Sequence, residues 1–345
     1  MSLILRGVDY GPVQCASGAM GWFGEGYWYH RYVPGLNWEG CTFVSKTTTL
    51  HKREGNMPLR PDPLGMGRFE SKELFPKCVV VKMRKGVVLN SVGLSGPGAE
   101  VLVERGVWQK RQTPFFLSFM SVAQSKEERF YEANTFADLL NGHIESFDAP
   151  FGLQVNLSCP NSGHDTSKIA KEAKEILQVF QFLRDEIPIV PKLNVLYPVE
   201  VLKEIEPLCD AICISNTLPW GTLQADVDWI GLFPNERGDV LEKIDPLYNP
   251  IHDTWAVNPL SRLGIKGGGL SGRPLLPLVE EWVKAARGRG IDLPINAGGG
   301  ILKPDDVDVL HKAGANSVFL GSIAILRGWR VRKTIKRAHK LMGSV

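Results

Sequence analysis

The 345-residue chain predicts an α/β protein of the closed (β/α)8 TIM-barrel class, and three observations lead there. Short apolar or β-branched runs recur at 12–17, 42–47, 115–120, 152–157, 189–194, 211–216, 293–297 and 317–321, eight in all. Amphipathic helical stretches separate several of them. The runs are almost continuously apolar, as strands are when a parallel sheet is covered on both faces, and eight such units close into a barrel. A doubly wound sheet is disfavoured because no Gly-x-Gly-x-x-Gly follows the first run. The expected organisation is one domain, 1–345, with insertions at about 51–90 and 218–266 over the carboxyl-terminal face.

The first run ends in Cys15, Ala16 and Ser17, and a ring-rich stretch follows with Trp22, Phe23, Tyr27, Trp28, Tyr29, Tyr32 and Trp38. Rings at this density read as a packing or subunit surface rather than a ligand cage. The second run closes on Ser45, Lys46 and Thr47. Residues 51–90 break the repeat: Cys78 to Met83 and Val87 to Leu89 read as a small antiparallel excursion ahead of Asn90-Ser91-Val92-Gly93-Leu94. At 152–157, Leu153, Val155 and Leu157 alternate with Gln154, Asn156 and Ser158, the period of a strand. Pro160 cannot continue a ladder, so Cys159 sits where strand gives way to loop, with Asn161 just beyond. A helix is expected over Thr166 to Glu186, with Ile169, Ala173, Ile176, Leu177, Phe180 and Leu183 on one stripe.

Lys192 interrupts the apolar run of Ile189, Val190 and Leu193, and a buried ammonium needs an anion or a cofactor beside it. The run at 211–216 leads into Ser215, Asn216 and Thr217; the insertion that follows carries Trp220, Trp229 and Trp255, whose rings favour an ordered cover. Glycine clusters then appear at Gly267-Gly268-Gly269-Leu270-Ser271-Gly272, at Gly298-Gly299-Gly300 after the seventh run, and at Gly321-Ser322 after the eighth, there opening the final helix. Bare backbone lets N–H groups approach an anion, and the loops after strands seven and eight of such barrels commonly hold phosphate. A phosphate-bearing ligand is therefore expected. Between those runs, Pro304, Asp305 and Asp306 open a helix that Gly314 closes.

Composition excludes several functions. A net charge of +3 from 40 basic and 37 acidic residues is too balanced for a nucleic-acid binder, and the basic cluster from Arg327 to Lys340 reads as the solvated face of a last helix. No run approaches the ~20 apolar residues that span a bilayer. Met1 to Tyr10 carries Arg6 and Asp9 and lacks the apolar core of a secretory signal. Six cysteines without a CxxC pair fit free thiols in a reducing compartment, with the cytoplasm as default. The seven histidines include no metal-ligand spacing, so no metal is expected.

Val155-Asn156-Leu157-Ser158-Cys159-Pro160-Asn161, taken with Ser45-Lys46-Thr47, Asn90-Ser91-Val92-Gly93-Leu94, Lys192, Ser215-Asn216-Thr217, Gly269-Leu270-Ser271-Gly272 and the glycines near 298 and 321, resembles the dihydroorotate dehydrogenase family over nearly the whole chain. The resemblance implies an FMN-binding barrel that oxidises dihydroorotate to orotate in pyrimidine biosynthesis. It places the flavin phosphate at Gly298, Gly299, Gly321 and Ser322, Lys46 and Lys192 against the flavin, and Ala16 and Ser17 beside its ring; Asn156, Ser215 and Gly272 complete the cofactor set. Lys46, Asn90, Val92, Gly93, Leu94, Asn156, Asn161, Asn216 and Thr217 are the implied substrate contacts. Cysteine as base marks the soluble members. A soluble acceptor is thus implied, fumarate or NAD through a separate subunit, with no membrane partner and a homodimer compatible.

The residue types suit that chemistry. Oxidising a saturated C–C bond beside a carbonyl needs a base for the α proton and an acceptor for hydride, here Cys159 and the flavin. Asn90, Asn156, Asn161 and Asn216 each donate and accept through one amide, which matches the alternating N–H and C=O edge of a pyrimidine. A related enzyme that reduces uracil or thymine shares the Asn/Cys arrangement and is the alternative. A phosphosugar lyase or isomerase with Lys192 as Schiff-base amine is the alternative of another class; it needs neither Cys159 nor the asparagines.

Overall fold

The computed structural model describes residues 2–60, 69–157, 166–234, 246–249, 254–265 and 267–343. A two-residue hairpin, β1 (Ile4–Leu5) with β2 (Val8–Asp9), precedes the barrel. Seven parallel strands follow one another around it: β3 (Val13–Cys15), β15 (Ser317–Leu320), β14 (Ile295–Gly298), β9 (Ile212–Ile214), β8 (Ile189–Leu193), β7 (Phe151–Asn156) and β6 (Phe115–Phe119). Residues 42–48 fill the remaining gap between β3 and β6 through the parallel bridges Gln14–Thr42, Val44–Phe116 and Thr48–Phe119, so the ring closes. That stave is expected from the sequence as a strand. Side chains interrupt its ladder: the Val44 N–H donates to Cys15 Sγ at 3.1 Å, and Ser45 Oγ accepts the Ser118 N–H at 2.9 Å.

Helices cover the outside: α1 (Ala99–Glu104), α2 (Lys126–Asn141), α3 (Thr166–Val179), α4 (Leu202–Ile205), α5 (Trp229–Leu232), α6 (Leu275–Gly288), α7 (Asp305–Ala313), α8 (Ile323–Leu326) and α9 (Val331–Met342). Local signals explain their ends. Ser125 and Glu128 form a reciprocal capping box at the start of α2. Asp306 Oδ2 accepts the N–H groups of Leu302 and Lys303 ahead of α7, and Gly314 ends that helix at φ 109°, a conformation open to glycine. The stripe expected over 166–186 breaks after Val179, where a 3-10 turn over Gln181–Leu183 takes over. The main apolar core lies between the strands and these helices, with Phe115, Phe119, Phe136 and Phe180 fully buried.

The two insertions turn out to be one structure. β4 (Val79–Lys82) and β5 (Val87–Asn90) from the first pair with β13 (Gly269–Gly272) and β10 (Leu218–Pro219) flanking the second, in the order β10-β13-β5-β4, all antiparallel. An antiparallel ribbon, β11 (Pro246–Asn249) with β12 (Thr254–Val257), extends the second insertion. Val87, Leu89, Leu218, Trp220, Trp229, Phe233 and Leu270 make a second apolar core, which takes the face of the β4–β5 hairpin opposite to Val79, Val81, Val88 and Asn90. Of the tryptophans expected in an ordered cover, Trp220 and Trp229 meet edge to face at 4.8 Å, while residues 235–245 and 250–253 of that insertion lie outside the described residues. The Gly267–Gly272 cluster, expected as a turn closing over an anion, instead supplies strand β13.

Candidate active site

At the carboxyl ends of the barrel strands, beneath the four-stranded sheet, lies a cavity of about 780 Å³. That is room for a cofactor and a small substrate together. Ala16 and Ser17 leave β3 to enter its wall, Asn156 ends β7, Lys192 faces in from β8, and Ser215, Asn216 and Thr217 follow β9. Gly299 and Gly300 follow β14, and Gly321 and Ser322 follow β15. Lys46 and Thr47 come from the irregular stave, and Asn90, Val92, Gly93 and Leu94 from the end of β5. Fifteen of the expected residues thus line one cavity, joined by Thr47 and Gly300; Cys159 and Asn161, with Ser158, lie outside the described residues. Gly272 and Gly298 stand behind the wall. A Cβ on Gly272 would lie 2.2 Å from the Gly86 carbonyl oxygen, and one on Gly298 would lie 2.6 Å from that of Phe319, so close backbone packing explains both glycines.

The inner end of the cavity is a connected polar array. Asn216 Nδ2 donates to Asn156 Oδ1 at 3.1 Å, and Asn156 Nδ2 donates to Thr47 Oγ1 at 3.2 Å. Thr47 Oγ1 also meets Ser17 Oγ at 2.7 Å and Ser118 Oγ at 3.0 Å. A hydroxyl has one hydrogen and two lone pairs, so three partners saturate it and fix the threonine. Asn216 Oδ1 accepts the Thr217 N–H at 2.9 Å, and Asn194 Nδ2 donates to the Thr217 carbonyl at 2.6 Å. Asn90 Nδ2 donates to the Gly269 carbonyl at 3.3 Å, which ties the upper sheet to this end. Thr47, Ser118 and Asn194 are not legible in the sequence as site residues, since hydroxyls beside Lys46 in a β-branched run look like ordinary strand residues.

Lys192 and Lys46 are both buried. The Lys192 ammonium lies 5.7 Å from the centre of the Phe319 ring. Lys46 Nζ sits 3.9 Å above the Trp22 ring and donates to the Ser95 carbonyl. Glu25 accepts the N–H groups of Trp22 and Phe23, and burial raises its pKa against the opposing pull of those bonds and of Lys46. Burial also pushes the thiols of Cys15, Cys209 and Cys213 up to about 12, and that of Cys78 up to about 11. None of those four is a ready base.

The glycine wall has the opposite character, bare backbone. Gly299 and Gly300 take φ of 125° and 79°, and their N–H groups make no hydrogen bond among the described residues. A Cβ on Gly321 would lie 2.9 Å from Cβ of Ala16. Ser322 caps the one-turn helix α8; the final helix α9 starts further on, at Val331, so the turn does not open the last helix as the sequence suggests. Part of the ring-rich stretch also differs from expectation. Trp22, Tyr27, Trp28 and Tyr29 line the cavity instead of a packing or subunit surface alone.

No group of histidine, cysteine, aspartate or glutamate suited to a metal occurs among the described residues, and no helix there is long and apolar enough to cross a membrane. No protein-family model matches the chain. It is 26% identical over 338 residues to the dihydroorotate dehydrogenase B (NAD(+)) catalytic subunit of Desulforamulus reducens, covering 96% of this chain and 89% of that one. It is 29% identical over 328 residues to the dihydroorotate dehydrogenase A (fumarate) of Lactobacillus helveticus, covering 92% and 85%. Among solved structures, the DHODH of Eimeria tenella in complex with ferulenol superposes with a TM-score of 0.64 at 16% identity, over 99% of this chain and 87% of that one, and shares the barrel fold. Similarity over most of its length, on the fold just described, makes this chain a relative of the A and B dihydroorotate dehydrogenases.

Proposed function

We propose that the chain is an FMN-dependent dihydroorotate dehydrogenase that oxidises dihydroorotate to orotate in pyrimidine biosynthesis. The observation that carries this reading is the amide and hydroxyl array of Asn216, Asn156 and Thr47, buried in a cavity that bare glycine backbone also lines. The donor set fits FMN. The N–H groups of Gly299 and Gly300, with Gly321 and Ser322 after the neighbouring strand, suit its phosphate, since an anion needs donors and no side chain in the way. Ala16, Ser17, Lys46, Lys192 and Ser215 line the stretch between, where the buried ammonium groups suit a ring able to carry negative charge. Gly272 and Gly298 serve this site by close packing behind it.

FMN, when bound, supplies the hydride acceptor. The chain's own residues do the rest. Asn156 and Asn216, with Asn90, Asn161 and Thr217, bind the ring edge of the substrate; Thr47 holds Asn156 at the angle that presents its amide, and Val92, Gly93 and Leu94 close over the ring. Cys159 follows Asn156 by three residues and takes the α proton as general base. The named relatives pass their electrons to fumarate or NAD(+).

Anaerobic mixing of the purified yellow protein with dihydroorotate or dihydrouracil tests the reading. Bleaching of the flavin by dihydroorotate is the expected result. Bleaching by dihydrouracil alone assigns the chain to the pyrimidine-reducing alternative, and a protein that stays colourless with added FMN removes both.

A further inference from the structure

We propose that Trp22 is a positioning residue for the reaction, its indole face holding the Lys46 ammonium in place for flavin and substrate. This rests on the reading of Lys46 as a contact of both, and it gives a part to a ring which that reading leaves out. Lys46 is 7% exposed, so its ammonium has given up most of its water. Two groups replace some of that water: the Ser95 carbonyl accepts from Nζ, and the Trp22 ring stands with its centre 3.9 Å from it. The face of an aromatic ring carries negative charge, and away from water it holds a cation more strongly than at an exposed site. Lys192 also has a ring beside it, Phe319, but at 5.7 Å. The contact at Lys46 is the closer one, and indole is the strongest of the ring partners.

Several bonds fix that ring to the lysine it serves. The Lys46 N–H donates to the Gly21 carbonyl at 2.8 Å, so the backbone of the lysine is tied one residue away from the indole that meets its tip. Glu25 accepts the Trp22 N–H at 3.0 Å and the Phe23 N–H at 2.7 Å, which closes the turn. The Trp22 carbonyl in turn accepts the Trp108 indole N–H at 2.6 Å. Around the ring itself, Phe69 packs edge to face at 5.5 Å, and Gly96 leaves room where a Cβ would come within 3.2 Å of the indole Cζ2. An indole clamped on these sides cannot follow the lysine, so the lysine is held to the indole. Trp22 and Lys46 both line the cavity, and the residue after Lys46 is Thr47, the hinge of the polar array. A ring that served packing alone would be indifferent to the charge on its face. That difference is measurable.

Trp22→Leu and Trp22→Phe, each made with Lys46 and with Lys46→Met, test this on the full FMN-loaded chain. Orotate affinity, read from the flavin spectrum, and the rate of flavin reduction at saturating dihydroorotate are the two measurements. With Lys46 present, Trp22→Leu should weaken orotate binding and slow flavin reduction by about tenfold each, and Trp22→Phe, which keeps a ring face, by about threefold or less. With Lys46→Met the same changes should cost less than about twofold, because the group they act through is gone. Where Trp22→Leu does not fold, a tetrafluorinated tryptophan placed at position 22 by nonsense suppression keeps the ring's outline and drains its face, and the same Lys46-dependent loss is expected. Equal losses with and without Lys46, or no loss when Lys46 is present, overturn the proposal. Lys46→Met that matches the wild type in both measurements refutes the reading of Lys46 itself, and the assignment of Trp22 falls with it. Failure of dihydroorotate to bleach the wild-type flavin refutes the proposed function instead. FMN affinity of the same proteins, read by fluorescence quenching, then decides: a loss that needs Lys46 upholds the pair, and a loss independent of Lys46 overturns it.

Discussion

Replacing Asn156 with alanine removes an amide that is bonded on both sides, and the structure says how much each side should lose. Asn156 is 4% exposed, so water does not readily replace it. Asn216 Nδ2 loses its acceptor at 3.1 Å, although Asn216 Oδ1 keeps the Thr217 N–H. Thr47 Oγ1 loses one partner of three and keeps Ser17 and Ser118. With one amide hydrogen newly stranded and the hydroxyl still satisfied, the folding cost should sit near about 1–2 kcal/mol, the low part of the range for an unsatisfied buried group. The chemical step should lose more: the substrate's own polar edge is stranded as well, costing about 1–3 kcal/mol, or about 5- to 150-fold in the rate of flavin reduction. Stopped-flow reduction by dihydroorotate and urea unfolding of the same preparation separate the two effects. Asn216→Ala should behave alike. Unchanged flavin reduction in a variant destabilised by the predicted amount would mean that the array holds the fold and does not read the ring, and the proposed function would lose its main support.

Gly299→Asp should purify colourless: at φ 125° a side chain is strained, its Cβ would crowd Val279 and Leu275 at 3.2–3.3 Å, and its charge opposes the phosphate; absorbance of the purified protein reads the outcome. Iodoacetamide at pH 8 should label the folded protein at Cys159 alone, because burial raises the other five thiols, four of them to about 11 or 12, and peptide mass mapping checks this. Flavin reduction should accelerate as pH rises through the thiol range near about 8.5, and Cys159→Ala should bind FMN yet reduce it orders of magnitude more slowly in a pH-independent way. Burial lowers His30 to about 4, below its unfolded value of 6.5; the unfolded chain then takes the proton first, so stability should fall as pH drops from 6.5 towards 4, and His30→Gln should flatten that slope in acid unfolding curves.

What the sequence made legible follows physical rules that act locally. Leu153, Val155 and Leu157 alternate with polar residues because a strand's period is two, and Gly314 ends α7 because a left-handed residue is needed there. Asn156, Lys192 and Asn216 were visible because polar groups at the ends of apolar runs require partners. Other features depend on what comes near from far along the chain. Thr47 gains its role from Ser17, Ser118 and Asn156, none of them a sequence neighbour. A run of glycines fits an anion loop as well as a crowded strand, and only the Gly86 carbonyl beside Gly272 decides between them. Trp28 and Tyr29 read as packing because rings serve packing and ligand walls alike, until Leu74 and Phe75 fold over beside them.

The sheet that roofs the cavity also dates its assembly. Its central pairing sets Gly269 against Asn90, bonded across 179 positions, and the barrel itself closes only when Val318 meets Val13. Loop closure over such spans is entropically costly and comes after local structure, so strands β6 to β8 with their helices can gather early while neither floor nor roof of the cavity exists. A chain still emerging from the ribosome thus has no place for a cofactor until its last quarter arrives. Binding FMN then acts as the final staple, stabilising only the finished barrel by mass action.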